Sequence, residues 1–253
     1  MKLSGTALIT GASSGIGKAI ALSLQKEGVK IVDVSLHTEQ LGYFRSVCAD
    51  ITEDVAVQKI ADGMEKLDYL FCNAGIGVGG SVEHCSPADV ERLFAVNLVA
   101  QIKLTIALLP KIKDGGKIFF TGSLASVIPL PYQACYSASK AAIENFSRAL
   151  RTELKYRKIA VCTVMPGDVS TGFTDARMKN ANVSEAEKHG IEKMERAERH
   201  GKCPQSIAKV FVRLAKKKNP PLRVSVGEGK LISFLVRILP LRLLNYLVEK
   251  LYV

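Results

Sequence analysis

The chain has 253 residues, of which 47% are hydrophobic and 23% charged, and its formal net charge is +11. That length holds one large domain or two small ones with a substantial core, and the composition is that of a soluble globular protein rather than a disordered or fibrous one. The positive balance suits phosphate-bearing ligands, anionic membrane surfaces or nucleic acid, but with no Trp and no basic–aromatic repeat a nucleic-acid binder is not expected.

Apolar strand-like runs alternate with helix-like stretches along the chain. Residues 6–10 read as a first strand and 16–27 as a helix that Gly28 closes. Runs at 30–34 and 46–49 read as strands, followed by an amphipathic helix at 53–66 and a strand at 69–73. A helix at 87–110, a strand at 117–121, a helix at 133–156 and a strand at 159–165 follow. A helix at 204–217 and a last strand at 223–226 complete the pattern. The strands are short and apolar on both faces, as buried parallel strands are. Such alternation predicts an α/β fold, a doubly wound parallel sheet in a single domain.

The six cysteines (Cys48, Cys72, Cys85, Cys135, Cys162 and Cys203) show no C-x-x-C spacing and none lies near a histidine pair, so no metal site is expected. Cys48, Cys72 and Cys162 lie in apolar strand-like runs, as reduced core residues of a cytoplasmic protein do. The N-terminal Met-Lys-Leu-Ser-Gly carries no apolar stretch long enough for a signal peptide.

Two local patterns carry chemistry. Thr10 to Gly17 places Gly11, Gly15 and Gly17 between the first strand and the first helix. Glycines there permit a tight turn and close approach of a ligand, and the helix N-terminus offers N–H groups and a favourable dipole to a diphosphate. Further on, Tyr136 and Lys140 stand four residues apart, with Ser123 thirteen residues before the tyrosine. On one helix the Tyr and Lys share a face. An ammonium near a phenol lowers the phenol's pKa, and a phenol tuned toward neutrality can trade a proton with a carbonyl or alcohol oxygen. Ser123 can hold that oxygen by a hydrogen bond.

From about residue 3 to about residue 227 the chain resembles the short-chain dehydrogenase/reductase family. Gly11, Ser13, Ser14, Gly15, Ile16 and Gly17 resemble the family's cofactor loop; Asp50, with Ile51 after it, matches the residue at the adenine. Asn73-Ala74-Gly75 resembles the Asn-Ala-Gly motif, although Cys72 replaces the more usual asparagine before it. Asn97, Ser123, Tyr136 and Lys140 match the catalytic tetrad. Pro166, Gly167, Val169 and Thr171 match the segment that holds the nicotinamide carboxamide. The resemblance implies a Rossmann-type sheet of about seven strands, NAD or NADP as cofactor, an alcohol or ketone as substrate and no metal. It gives Tyr136 the acid/base role and Lys140 the ribose hydroxyls and the tuning of the tyrosine. Ser123 orients the substrate oxygen, and Asn97 holds a water beside Lys140. It also implies a homodimer or homotetramer. A catalytically silent nucleotide-binding protein on the same scaffold is the alternative, and the intact tetrad argues against it.

Ungapped counting from Gly17 puts Ser35, then Leu36 and His37, where the second strand meets the adenosine ribose. A neutral serine tolerates a 2′-phosphate, as in NADP. If the strand ends two residues earlier, Asp33 takes the place and NAD is favoured. The stretch 36–45 is short for a full crossover helix.

Residues 172–202 correspond to the family's substrate lid. Their charge, from Arg177 to Lys202, reads as a solvated helix face, and His189 and His200 as surface residues. The stretch 228–253 is an apolar, basic extension. Pro240 divides it, and Arg237 and Arg242 flank the proline, so an unbroken bilayer span of about 20 residues is not expected. It reads as packing over the substrate mouth, as a subunit interface, or as a peripheral membrane contact. Each leans toward an apolar, lipid- or steroid-like substrate.

Overall fold

The structure, a computed structural model, describes residues 2–37, 44–179, 183–227 and 229–252. In chain order the first half contains β1 (Thr6–Thr10), α1 (Gly15–Lys26), β2 (Lys30–Ser35), β3 (Arg45–Cys48), α2 (Asp54–Asp62), β4 (Leu67–Cys72), the two-residue β5 (Val78–Gly79), α3 (Pro87–Phe94) and α4 (Gln101–Leu108). The second half contains β6 (Ile112–Thr121), α5 (Ala134–Glu153), β7 (Ala160–Pro166), the two-residue β8 (Met178–Lys179), α6 (Glu185–Arg199), α7 (Pro204–Lys216), β9 (Arg223–Val226), α8 (Gly229–Ile238) and α9 (Leu241–Tyr252).

Seven strands form one parallel sheet in the order β3-β2-β1-β4-β6-β7-β9. Successive side chains of a strand point to opposite faces, and the core divides accordingly. Leu8, Leu70, Ile118 and Phe120 face α2, α4 and α5, meeting Ile60, Leu104, Leu108, Ile143 and Leu150. Their neighbours Ile9, Phe71 and Phe119 face α1 and α7, meeting Ile20, Leu24, Ile207 and Phe211. Phe71 and Phe119 stack at 4.9 Å and both meet Phe211 edge-on, at 5.9 and 6.0 Å. Both faces of the sheet are therefore covered, which is why its strands read as continuous apolar runs.

The seven main strands and five helices lie where the sequence reading puts them, with shifts at the ends. The expected helix at 87–110 is not regular: α3 passes into one π-helical stretch, Ala95–Ala100, before α4 resumes. Among the described residues this run, Pro87–Lys111, is long and apolar enough to cross a membrane, with a mean hydropathy of 1.7. Its Leu93, Ala100, Leu104 and Leu108 are buried within the protein. β6 is longer than expected because it begins at Ile112 and passes through Gly115 and Gly116, where the register with β4 shifts. The short crossover expected over 36–45 is described only at its ends, because 38–43 lie outside the described residues.

The strand order reverses between β1 and β4. In an open α/β sheet that is where a crevice opens at the carboxyl ends of the strands. Thr10, fully buried, holds the two sides together: its hydroxyl accepts the N–H groups of Asn73 and Ala74, both at 2.9 Å. The Asn73 amide in turn donates to the Thr10 carbonyl at 3.1 Å and accepts from the Thr121 hydroxyl at 3.0 Å. The ends of β1, β4 and β6 are thus pinned at the mouth of the crevice.

Candidate active site

A single cavity of about 930 Å³ runs along these strand ends. Its first wall is the glycine loop, Gly11 and Ser13 to Ile16, which leads into the N-terminus of α1. Gly11 and Gly15 have φ of +70° and +53°, a region that disfavours other residues. Gly17 does not line the cavity. A Cβ on it would lie 2.1 Å from the Gly11 carbonyl oxygen and 2.6 Å from the Asn73 amide nitrogen, so this glycine allows the helix to pack against the turn.

At the end of β2, Asp33 and Ser35 take different places. β2 runs through Ser35, and Asp33 pairs with Ile9 inside the sheet, 1% exposed. The Asp33 carboxylate accepts the Ala12 N–H at 3.0 Å and the Ser35 hydroxyl at 2.6 Å. The Ser35 oxygen also accepts the Ser13 N–H at 3.3 Å. Burial raises the Asp33 pKa against the pull of those hydrogen bonds. The alternative that gave Asp33 the ribose position is therefore corrected: it is an internal strut of the glycine loop. Ser35, Leu36 and His37 line the cavity there, with Asp50 and Ile51 nearby. Asp50 accepts from the Thr52 N–H and hydroxyl at 2.9 and 2.7 Å.

The other end of the cavity collects Asn73, Ala74, Gly75, Ser123, Tyr136, Lys140, Pro166, Gly167, Val169 and Thr171. Ser123 stands at the head of a short turn and accepts the Ala125 N–H at 3.1 Å. Tyr136 and Lys140 share a face of α5, the Lys Nζ lying 5.7 Å from the phenol ring centroid and donating to the Thr121 carbonyl at 3.0 Å. Ser123 hydrogen-bonds the Tyr136 hydroxyl, which lowers that group's pKa. Burial outweighs it and pushes the phenol up to about 12, while the same burial pulls Lys140 down to about 8. Lys140 is not among the causes of the Tyr136 shift.

Asn97 does not line the cavity. It lies within the π-helical stretch, 2% exposed. Its carbonyl oxygen accepts the Ile76 N–H at 2.8 Å, and its amide donates to the Ile76 carbonyl at 2.9 Å and the Ser139 hydroxyl at 3.2 Å. A Cβ on Gly75 would sit 3.1 Å from the Asn97 oxygen and 3.5 Å from Lys140 Nζ. The absent side chain leaves those two polar groups on either side of one small gap.

Other residues shape the site without any motif to announce them. Phe173 lies 5.9 Å, ring to ring, from Tyr136, and the Arg177 guanidinium 5.9 Å from the Phe173 ring. Arg177 pairs with Glu198 and, at 3.7 Å, with Glu195. Glu198 also accepts from Thr174 at 2.7 Å. Arg177 is only 5% exposed, Glu187 2% and Glu195 8%; the solvated-face reading fails for these three and holds for the exposed Glu185, Lys188, Glu192, Lys193, Arg196 and Arg199. Arg177 lowers the Tyr136 pKa and Glu198 raises it. Further along the same segment, Glu187 accepts the Ser81 N–H at 2.6 Å and contacts His84 at 3.0 Å. His189 is exposed, and His200 lines the cavity with its Nδ1 donating to the Arg196 carbonyl at 2.8 Å.

The C-terminal extension folds back as two helices broken at Pro240. α9 packs on α6, and the Ser225 and Ser233 hydroxyls meet at 2.6 Å to tie α8 to β9. Leu235, Leu239, Leu244, Leu247 and Val248 also line the cavity, as do Ile128, Leu130 and Phe173.

The chain matches the model of the short chain dehydrogenase family over residues 5–182. It is 35% identical over 233 residues to a 3-ketodihydrosphingosine reductase of Bacteroides thetaiotaomicron, covering 87% of each chain. Among solved structures it is similar to a short chain dehydrogenase from Burkholderia cenocepacia in complex with NADP (26% identity, TM-score 0.71, 88% and 96% of the two chains). It is also similar to a 3-ketoacyl-(acyl-carrier-protein) reductase from Brucella melitensis complexed with NADH (25%, TM-score 0.74, 89% and 98%). The cavity suits the dinucleotide of such complexes, since Gly11 and Gly15 carry no side chain where the loop meets the N-terminus of α1. The chain belongs to the short-chain dehydrogenase/reductase family, as an NAD(P)-dependent oxidoreductase acting on CH–OH and C=O groups.

Proposed function

We propose that the protein is an NADP(H)-dependent reductase of a carbonyl carried on an apolar, long-chain substrate. The observation that carries this reading is the continuity of one cavity. The polar Ser123, Tyr136 and Lys140 and the apolar Leu235, Leu239, Leu244 and Val248 line the same cavity, and we take the latter as its apolar arm. The relative named 3-ketodihydrosphingosine reductase supports the same substrate class.

The bound dinucleotide supplies the hydride. Gly11 to Ile16 hold its diphosphate, Asp50 and Ile51 its adenine, and Asn73 to Gly75 with Pro166, Gly167, Val169 and Thr171 its nicotinamide end. Ser35 stands where a carboxylate would repel a 2′-phosphate, and the Asp33 carboxylate is turned inward onto Ala12 and Ser35. That arrangement favours NADP. Tyr136 donates a proton to the carbonyl oxygen while Ser123 holds it. The phenol is protonated at neutral pH and so can act as the acid. Lys140 binds the ribose hydroxyls and carries positive charge beside the phenol. Asn97 orders water next to Lys140 and braces Ile76. Residues 172–202 act as the lid, and 1–227 with the folded-back 228–253 act as one catalytic unit. A cytoplasmic homodimer or homotetramer completes the reading; exposed Val99 and Ile106 on the α3–α4 run support a subunit contact.

The test is a series of ketones of increasing chain length, assayed with NADPH and NADH by absorbance of the reduced nicotinamide. Each methylene entering the apolar arm contributes about 0.8 kcal/mol, so kcat/KM rises about fourfold per added methylene until the arm is full. Rates indifferent to chain length, or preference for NADH, contradict the proposal.

A further inference from the structure

We propose that the outer face of α8–α9 docks on an anionic lipid bilayer, so that the substrate enters the cavity from the leaflet. This deepens the substrate reading above and rests on it. Phe234, Ile238, Leu241, Leu243 and Tyr246 are 58%, 59%, 74%, 43% and 53% exposed. With Leu247 they make six of the thirteen exposed large hydrophobic residues among those described, the other seven being spread from Leu36 to Leu222. A cluster of this kind on one helix pair marks an interaction surface.

Charge selects the occupant. The segment 229–253 carries Lys230, Arg237, Arg242 and Lys250 against a single carboxylate, Glu249. Arg242 and Lys250 are exposed, and Lys250 Nζ lies 5.9 Å from the Tyr246 ring centroid. Aromatic and aliphatic groups beside cations match the boundary between acyl chains and anionic headgroups. A second copy of the chain fits less well, because a two-fold contact would set this cationic face against itself. The helices have 10 and 12 residues, about 15 and 18 Å at 1.5 Å per residue, too short for a hydrocarbon core of about 30 Å. They therefore lie in the surface. Their inner residues Leu235, Leu239 and Leu244 wall the apolar arm, so one helix pair separates cavity from lipid.

The test is flotation of the full chain with phosphatidylcholine vesicles, with and without phosphatidylglycerol. Binding is expected to rise with the anionic lipid and fall with salt. The triple variant Phe234→Ser, Ile238→Ser, Leu241→Ser, none of which lines the cavity, is expected to lose vesicle affinity by about tenfold or more. It should turn over a short soluble ketone as the native chain does, while KM for a vesicle-borne long-chain ketone rises and kcat holds. Should the triple variant lose its fold by circular dichroism, Arg242→Glu with Lys250→Glu replaces it, with the same loss expected. Equal flotation of native and variant proteins overturns the proposal. So does a native dimer that ignores vesicles and that the variant dissociates, as read by sedimentation. Flotation needs no substrate, so a failed chain-length series and a failed docking surface are read separately.

Discussion

Replacing Arg177 by methionine is the sharpest test of how the proposed lid is held beside Tyr136. The Arg177 side chain is 1% exposed and faces Glu198 and Glu195, whose side chains are 14% and 11% exposed. Removing one partner of a buried ion pair costs about 3–5 kcal/mol, because the other charge stays buried. Both carboxylates keep a second partner: Glu195 lies 2.6 Å from Lys179 Nζ, and Glu198 accepts from Thr174. The lower end, about 3 kcal/mol, therefore applies. Spread over the whole molecule this would lower Tm by about 6–12 °C, at about 2–4 °C per kcal/mol for a chain of this size. The pair joins β8 and its loop to α6, so part of the loss is expected as local opening of 172–199, with a smaller shift in Tm. The assay is hydrogen exchange by peptide mass spectrometry beside a thermal melt. Arg177→Met should speed exchange by about a hundredfold within the lid and leave the sheet protected. Arg177→Lys keeps the charge without the fork and should lie between. Unchanged lid protection with Tm within about 1 °C of native would refute the clasp.

Lys140→Met should alter the pH dependence of stability. The folded pKa of about 8 lies below the ordinary lysine value of 10.5, so folding disfavours the ammonium. The unfolded chain holds more protons between these values, and stability rises with pH across that window. The variant should lose that rise between about pH 8 and 10 in urea titrations, whereas Tyr136→Phe should remove a loss of stability above pH 10, since the folded phenol lies near 12. Gly17→Ala forces a Cβ to 2.1 Å from the Gly11 carbonyl and should cost about 1–3 kcal/mol, with NADPH affinity by calorimetry falling at least about tenfold. Gly172→Ala, whose Cβ meets nothing within 4 Å, is the neutral control and should stay within about 0.5 kcal/mol.

The parts legible in the sequence were those with short-range signals. Strand and helix periods, the glycine turn and the Tyr136–Lys140 spacing all lie within one or two elements. What escaped depends on distant partners. Asp33 reads as a strand-end carboxylate, yet its hydrogen bond to Ala12 spans 21 residues and makes it a strut. Arg177 reads as one charge in a solvated run, yet the backbone of β5 and the carboxylates of α6 enclose it. The π-helical stretch at Asn97 leaves no trace in a pattern that stays apolar and helical on both sides. Spacing gives Tyr136 proximity to Lys140 but not the desolvation of either group. The apolar extension was visible as such; its division into an inner wall and an outer face required the fold.

The central claim is that the Tyr136 phenol delivers the proton to a carbonyl beside the bound cofactor. The most direct measurement pairs single-turnover ketone reduction with NADPH binding in Tyr136→Phe. The account predicts a fall in the chemical step of about a hundredfold to ten-thousandfold with NADPH affinity within about threefold of native. Native turnover in that variant would contradict it.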